Sequence, residues 1–328
     1  MKRIEEEIWI LSDGRAGTFS QGVGLAQALG ISYKIIEVNY SIFAKLPNIF
    51  FSSSKLRLSQ KTINQLNKID YFPKAIISCG RRTAPVALYL QTQSLSKIKI
   101  IQIMNPNLNF GKFDFVILPK HDNFDAAKFN NVITTIGSLT KINQEAIENE
   151  KQKFFQEFEN IKEQKIAILL GGSSNKTQFE IESAIKLAKI SSKIANNMNA
   201  SLIILNSRRT SDEISYNFIK NLNCSFKFFD WKKITQNPYL AVLGYADFFI
   251  VTGDSVSMIS ECASTGKPIY IFDEKNISSK KHKNFHKNLF KEKYASELKE
   301  DLEFLEKKSS EILNETQRVA LLIKNRCG

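Results

Sequence analysis

The sequence predicts an α/β protein built from two doubly wound, parallel-sheet domains with a charged helical tail. Three features carry this expectation. Short apolar runs rich in Ile, Val and Phe recur along the chain, and most are followed by a segment of helical period. Many of these runs end in a loop of Gly, Ser, Asp or Arg, as strands do where they feed a binding crevice. The polar segment 143–163 has helical period and contains neither Gly nor Pro, so it reads as the connection between two halves. The boundary is placed near Lys151, giving domains 1–150 and 151–328.

Composition agrees with that organisation. Hydrophobic residues make up 43% and charged residues 24%, a normal balance for a globular chain long enough to bury two cores. No apolar run approaches the roughly 18–20 residues of a membrane span. After Met1 and Lys2, the residues Glu5, Glu6 and Glu7 stand where a signal peptide carries its apolar region, so a cytoplasmic protein is expected. Cys79, Cys224, Cys262 and Cys327 are scattered without a Cys-x-x-Cys pair, which argues against a zinc site or a disulfide framework. His282 and His286 are four residues apart, but in a Lys-rich segment without a nearby acid they read as a solvated helix face. The net charge of +13 is spread over a chain rich in Lys throughout. Its densest run, Lys280-Lys281-His282-Lys283-Asn284-Phe285-His286-Lys287, suits anionic lipid headgroups at the inner face of a membrane. It carries no aromatic-interleaved RNA-binding pattern, and no nucleic acid partner is expected.

Taken in order, residues 8–11 form the first strand, which ends in Ser12-Asp13-Gly14-Arg15-Ala16-Gly17-Thr18. A helix through Val23, Leu25, Ala26 and Leu29 then runs to Gly30. The loop lacks both the Gly-Lys-Ser/Thr of a Walker motif and the spacing of the dinucleotide fingerprint. Residues 33–38 and 74–79 are the next strands. The latter runs into Gly80-Arg81-Arg82-Thr83-Ala84-Pro85, ahead of a helix over 86–93. Two adjacent arginines at the carboxyl end of a strand point to an anion, because sites in open α/β sheets lie at that end and guanidinium pairs phosphate and carboxylate well. Strands over 98–104, 113–118 and 132–135 complete the first half, the second of them ending in Pro119-Lys120-His121-Asp122.

In the second half, residues 165–170 form a strand that ends in Gly171-Gly172-Ser173-Ser174 and leads to a long helix reaching about Asn197. Residues 201–205 end in Asn206-Ser207-Arg208-Arg209-Thr210, and strands over 226–229, 248–251 and 268–271 complete the sheet. Helices are expected over 211–220 and 238–245, the second opening at Asn237-Pro238-Tyr239. After Lys280 two or three charged helices follow.

Between the last two strands lies one short helix, starting near Asp254 or Ser255 and stopping at Gly266 ahead of Pro268. Such a turn aims backbone N–H groups and the positive end of the helix dipole above the sheet, a geometry that suits a phosphate. Glu261, roughly two turns on, could accept hydrogen bonds from ribose hydroxyls. The local pattern fits an ordinary strand–turn–helix with a solvated glutamate equally well.

Taken together, Asp13-Gly14-Arg15-Ala16-Gly17, Gly80-Arg81-Arg82-Thr83-Ala84-Pro85, Pro119-Lys120-His121-Asp122, Ser207-Arg208-Arg209-Thr210 and Thr252-Gly253-Asp254-Ser255-Val256-Ser257-Met258 resemble a known family. It is the mitochondrial-fission "elongated mitochondria" family, whose bacterial members are described as glycosyltransferases. More distantly, Gly171-Gly172-Ser173 and Gly253 with Glu261, Ala263, Gly266 and Pro268 are similar to the donor domain of the bacterial enzyme that adds N-acetylglucosamine to lipid I. The resemblance implies a GT-B-like fold of two facing Rossmann-like domains, the C-terminal one holding a nucleotide-sugar donor and the N-terminal one an acceptor.

On that basis the donor contacts would be Gly172, Ser173, Arg208, Arg209, Gly253, Asp254, Ser255 and Glu261, and the acceptor contacts Gly14, Arg15, Gly17, Arg81 and Arg82. The resemblance implies no cofactor, the nucleotide sugar being a substrate. It also implies no bound metal, the departing diphosphate being met by helix N-termini and basic side chains. The acceptor would be lipid-linked or close to an anionic membrane surface. Thr18 departs from the pattern, since many relatives carry His or Asp there, and a threonine hydroxyl without an activating partner is no base at neutral pH. The base would then be Asp13 or Asp122, with His121 third, although His121 and Asp122 fit a capped turn as well. Plant relatives act as adaptors that recruit a dynamin-like protein, and a nucleotide-sugar epimerase could share the fold, so both readings stay open beside transfer. Gly253→Leu is expected to block nucleotide binding in a folded protein. Glu261→Ala is expected to weaken nucleoside diphosphate binding by about 1.5–3 kcal/mol.

Overall fold

Six parallel strands form the first sheet: β1 (Arg3–Ser12), β2 (Tyr33–Glu37), β3 (Tyr71–Cys79), β4 (Lys99–Ile103), β5 (Phe115–Pro119) and β6 (Val132–Thr135). Their order across the sheet is β2-β1-β3-β4-β5-β6. These are coordinates of a computed structural model, which describes residues 3–45, 48, 53, 55–95, 97–122, 124–161, 164–175, 177–307 and 311–327; Met1, Lys2 and Glu163 lie outside them. Ile8, Trp9, Ile10 and Leu11 in β1 are all buried, as parallel strands covered on both faces require. One face packs on α1 (Ala16–Leu29), the other on α3 (Ala84–Gln93) and the region of α2 (Gln60–Asn67). Gly30 ends α1 in the left-handed region at φ 69°, its N–H bonded to the Gln27 carbonyl.

The second sheet holds β7 (Lys165–Leu170), β8 (Ser201–Asn206), β9 (Phe226–Phe229), β10 (Phe248–Thr252), β11 (Ile269–Phe272) and β12 (Ser296–Glu297). Its order is β12-β11-β10-β7-β8-β9, again all parallel. Numbered from β7, this is the 3-2-1-4-5-6 order of dinucleotide-binding sheets. Its helices are α4 (Gln144–Lys153), α5 (Phe155–Phe158), α6 (Ile181–Asn197), α7 (Asp212–Lys220), α8 (Tyr239–Tyr245), α9 (Val256–Ala263) and α10 (Lys280–Lys291). Ala184, Leu187, Ala188 and Ile194 of α6 bury against Ile166, Ile168, Leu202 and Ile204. Each of these Leu and Ile side chains contributes about 1.5–3 kcal/mol on burial. α7 starts at Ser211, whose hydroxyl accepts the Ile214 N–H, with Asp212 and Glu213 complementing the dipole in the first turn.

The chain divides into two compact units, residues 1–141 with 314–328, and 142–313. The sequence reading had the change near Lys151 and the whole tail in the second half. Instead α4 packs on α8 in the second unit, Lys151 lying against Gly244 and accepting the Tyr245 phenol at its carbonyl. The tail also differs from a run of helices. It adds β12 to the second sheet, and its last helix, α11 (Glu315–Cys327), packs on α1 of the first unit. There Val319, Ala320 and Ile323 join the core of Val23, Leu25 and Ile77. The buried Glu315 carboxylate accepts the Ile136 N–H at 3.0 Å, and Thr316 exchanges hydrogen bonds with the Thr140 backbone. Among the described residues no helix is long and apolar enough to cross a membrane.

Candidate functional site

In each sheet one pair of neighbouring strands sends its connections in opposite directions, and the loops at their carboxyl ends part around a crevice. In the second sheet the pair is β7 and β10, so Gly171-Gly172-Ser173 and Gly253-Asp254-Ser255 meet there. Hydrogen bonds lock them together. The Gly171 N–H donates to Thr252 Oγ1 at 2.7 Å, the Gly172 N–H to Asp254 Oδ2 at 3.0 Å, and Thr252 Oγ1 to Asp254 Oδ1 at 2.7 Å. Arg209 closes the clamp, with Nη2 2.6 Å from Asp254 Oδ2 and Nη1 donating to the Gly172 carbonyl at 3.0 Å. The Asp254 side chain is 1% exposed. A Cβ on Gly172 would lie 2.0 Å from the Arg209 carbonyl oxygen, which is why glycine stands there.

This geometry changes the roles expected of several residues. The amides of Gly172 and Gly253 are taken up inside the protein, the latter by the Phe272 carbonyl at 2.9 Å, and so is the Arg209 guanidinium. No helix follows Gly172 directly, because Ser174 and Thr177 bridge, the Ser173 hydroxyl takes the Phe179 N–H, and α6 begins at Ile181. The helix terminus that does face the crevice is that of α9, capped by Ser255, whose Oγ accepts the Met258 N–H. Its first-turn amides are those a helix leaves without intrahelical partners. Gly253 also lies against a buried wall, where an added Cβ would stand 2.7 Å from Ser278 Oγ and 2.8 Å from His286 Cε1. Gly253→Leu therefore breaks the packing rather than blocking a ligand in an intact fold.

Beside the clamp a pocket of about 400 Å³ opens over the ends of β7, β8 and β9, its walls including Ser207, Arg208, Trp231, Tyr239 and Met258. Trp231 Nε1 is buried and, among the described residues, has no hydrogen-bond partner. Both arginines are exposed, but Arg208 lines this pocket while Arg209 is engaged by Asp254. Glu261 lies one helical turn beyond Met258, and the Tyr239 phenol donates to its Oε2 at 2.6 Å. Burial, with the Glu261 carboxylate beside it, raises the Tyr239 pKa and keeps the phenol a donor. Tyr239 is thus more than the start of a helix, and neither it nor Trp231 carried a sequence signal for the site.

The Lys-rich helix α10 is amphipathic rather than solvated all round. Phe285, His286 and Leu289 are buried, while Lys280, Lys281, Lys283, Lys287 and Lys291 are exposed. His286, 3% exposed, has Nδ1 3.3 Å from Asp273 Oδ2, and Ser278 Oγ donates to the Gly253 carbonyl. His282 completes a capping box with Ser279. The i, i+4 spacing of Phe285 and Leu289, with His286 beside them, was the available sign that this face turns inward. Among the described residues no three His, Cys, Asp or Glu side chains converge as a metal site needs.

In the first sheet the parting strands are β1 and β3, which brings the Asp13-Gly14-Arg15 and Gly80-Arg81-Arg82 loops together. Gly14 takes φ 78°, and its N–H reaches Ser12 Oγ at 3.3 Å. The Asp13 side chain is 5% exposed, 3.5 Å from Arg15 Nε, and its Oδ1 accepts the Arg15 N–H. Gly17 and Thr18 lie in the first turn of α1. The Arg82 guanidinium stacks 4.2 Å from the centre of the Tyr40 ring. Asn48 Nδ2 donates to the carbonyls of Arg81 and Pro106, both at 2.7 Å, and so fixes the arginine loop. Arg57, 1% exposed, donates from Nη2 to the Ala44 carbonyl at 2.9 Å. The sequence reading missed Tyr40, Asn48 and Arg57, which come from a segment without a strand-end motif. His121 and Asp122 sit in a 3-10 turn after β5, with His121 buried. Since β5 is three strands from β1, that turn stands about 14 Å from Asp13, and the structure does not gather the three candidate bases at one point.

Comparison with known proteins agrees with this architecture. The model of the family described as mitochondrial fission ELM1 matches residues 16–327. A relative from Rickettsia prowazekii (strain Madrid E), the uncharacterized protein RP120, is 33% identical over 351 aligned positions, covering 97% of each chain. Among solved structures, the UDP-GlcNAc 2-epimerase of Neisseria meningitidis, bound to UDP-GlcNAc, superposes with a TM-score of 0.53 at 12% identity, covering 99% of each chain. The glycotransferase of kitacinnamycin superposes with a TM-score of 0.52 at 13% identity, over 99% of this chain and 100% of that one. The fold is GT-B-like, and the chain belongs to the mitochondrial fission ELM1 family.

Proposed function

We propose that the protein is a metal-independent glycosyltransferase that moves a sugar from a nucleotide-sugar donor to a lipid-linked or membrane-proximal acceptor. The observation that carries this reading is the pocket over β7, β8 and β9, with Glu261 held by Tyr239 at its side. Trp231 and Tyr239 suit a nucleobase, and the Glu261 carboxylate suits the hydroxyls of a ribose. The first turn of α9, with Arg208, suits a diphosphate whose charge grows as the glycosidic bond breaks. The likeness in fold to an epimerase bound to UDP-GlcNAc supports a nucleotide sugar as the ligand class. Asp13, at the crevice of the first sheet, is the preferred base over Asp122 and His121. Lys280, Lys283, Lys287 and Lys291 line one face of α10 and favour a peripheral position at anionic lipid.

A second reading, a binding adaptor without catalysis, is favoured by the clamp itself, which takes up Gly172 and Arg209 for structure. A thermal-shift panel of nucleoside diphosphates and nucleotide sugars, with and without magnesium, separates the two, since a ligand of the native state raises the melting temperature. Transfer predicts a shift with one base, independent of magnesium. Glu261→Ala then weakens that ligand by about 1.5–3 kcal/mol through loss of a hydrogen bond to a charged group. A well-folded sample that ignores every nucleotide ends the transferase reading and leaves the adaptor. Deuterium uptake at the sugar carbon beside the anomeric centre, without transfer, points to an epimerase instead.

A further inference from the structure

The carboxyl end of the first sheet gathers more positive charge than its own carboxylate balances. We propose that the crevice between β1 and β3 binds a phosphate ester or pyrophosphate group, held by Arg15, Arg81, Arg82 and the Tyr40 hydroxyl, with Arg57 behind them. The inference stands on the first unit alone; only its assignment as the acceptor's anchoring group rests on the transferase reading.

Among the described residues, four arginines, Arg15, Arg57, Arg81 and Arg82, and one carboxylate, Asp13, act on Tyr40 and Arg57 here, an excess of three positive charges around that pair. Asp13 is engaged by Arg15, and among the described residues neither Arg81 nor Arg82 has an ion-pair partner. The Tyr40 hydroxyl is buried and, among the described residues, has no hydrogen-bond partner. A buried hydroxyl left unbonded costs stability unless something accepts from it. Burial and Asp13 raise the Tyr40 pKa against the opposing pull of Arg82, Arg15 and Arg57, so the group is a donor throughout the physiological range. The ring beneath is held by the Arg82 stack, and the arginine loop by Asn48. The first turn of α1 begins at the same loop and adds its open amides. Guanidinium forks, a hydroxyl donor and helix amides together match the several oxygens and multiple charge of a phosphate better than the single planar edge of a carboxylate.

The test is calorimetric titration of pyrophosphate into the full chain, with and without UDP at high concentration, for the parent, Arg82→Gln and Tyr40→Phe. The parent is expected to bind pyrophosphate in both conditions. Arg82→Gln should weaken it about tenfold or more, and Tyr40→Phe about three- to tenfold, as losses of charge-assisted and neutral hydrogen bonds do. Without ligand, Tyr40→Phe should melt no lower than the parent, because it removes an unbonded buried hydroxyl; a hydroxyl serving structure alone would give the opposite result.

The inference is overturned if pyrophosphate does not bind or if both variants bind it like the parent. Pyrophosphate binding without any UDP binding sinks the nucleotide reading and leaves this one standing; UDP binding alone does the reverse. Flotation with phosphatidylcholine vesicles containing phosphatidic acid identifies the source. Vesicle binding that Arg82→Gln abolishes and pyrophosphate competes away marks a lipid headgroup, and pyrophosphate binding with no vesicle binding marks a soluble phosphate.

Discussion

The crevices of the two sheets lie at the same topological position and use the same residue types, yet they arrange their charges differently. In the second sheet the carboxylate and the guanidinium find each other. Asp254 takes up Thr252, the Gly172 amide and Arg209, and three loops become one frame. In the first sheet Asp13 pairs with the mostly exposed Arg15, while among the described residues Arg81, Arg82 and the Tyr40 hydroxyl have no carboxylate partner. Polar groups at a switch point can therefore hold the loops together or be kept for a ligand. In the second sheet Arg208, Trp231 and Glu261 stand outside that frame, and they are the groups the proposed donor site uses.

The largest test of this contrast is Asp254→Ala. It strands the Gly172 amide and the Thr252 hydroxyl and frees a guanidinium, and should cost about 3–5 kcal/mol, as removal of one partner of a buried pair does. Asp13→Asn, whose partner is 65% exposed, should cost about 1 kcal/mol or less. Urea midpoints for the two variants decide the matter, and equal losses would erase the distinction between a frame and a ligand site.

Glycines give a second, smaller contrast. Gly253→Ala brings a Cβ against Ser278 and the buried His286, and overpacking of that kind costs about 1–3 kcal/mol. Gly14→Ala meets nothing within 4 Å and is opposed only by φ 78°, a strain of about 1 kcal/mol. Thermal denaturation of both should rank them in that order. The reverse order would mean that the His286 wall yields easily and that packing is not what requires glycine at 253.

The same contrast explains what could be read from the sequence. The strands at 132–135 and 165–170 stand where the apolar runs put them, because parallel strands buried on both faces need little beyond local hydrophobicity to declare themselves. Loops at strand ends were legible as a class for the same reason, since topology alone delivers them to the crevice. Partner choice was not. That Arg209 rather than Arg208 would join Asp254 depends on contact across 45 residues of chain, and the Gly172–Asp254 bond spans 82. Tyr40, Asn48 and Arg57 escaped because their segment reaches the crevice through tertiary packing without a motif of its own. α11 escaped for the reason that a charged, weakly amphipathic segment does not reveal which core its few apolar residues will join.

The smallest effect concerns pH, and it too separates the units. Lys267 of the second unit donates from Nζ to the carbonyls of Leu243 and Gly244 at the end of α8, and burial lowers its pKa to about 8. A neutral amine keeps two N–H donors and can serve both carbonyls. Between about pH 8 and the unfolded value near 10.5 the unfolded chain binds more protons than the native one, so stability rises with pH across that window. Below about pH 8 both states carry the proton, and the full cost of a buried ammonium is present. Relative to Lys267→Met, the parent should gain on the order of 1 kcal/mol between pH 8 and 10. Arg82 belongs to the first unit and Lys267 to the second, so Arg82→Gln should leave the same slope intact. Urea midpoints at pH 7, 8, 9 and 10 for the three proteins read this directly. A slope that survives Lys267→Met belongs to another group, and a slope that vanishes in Arg82→Gln would tie the two crevices together.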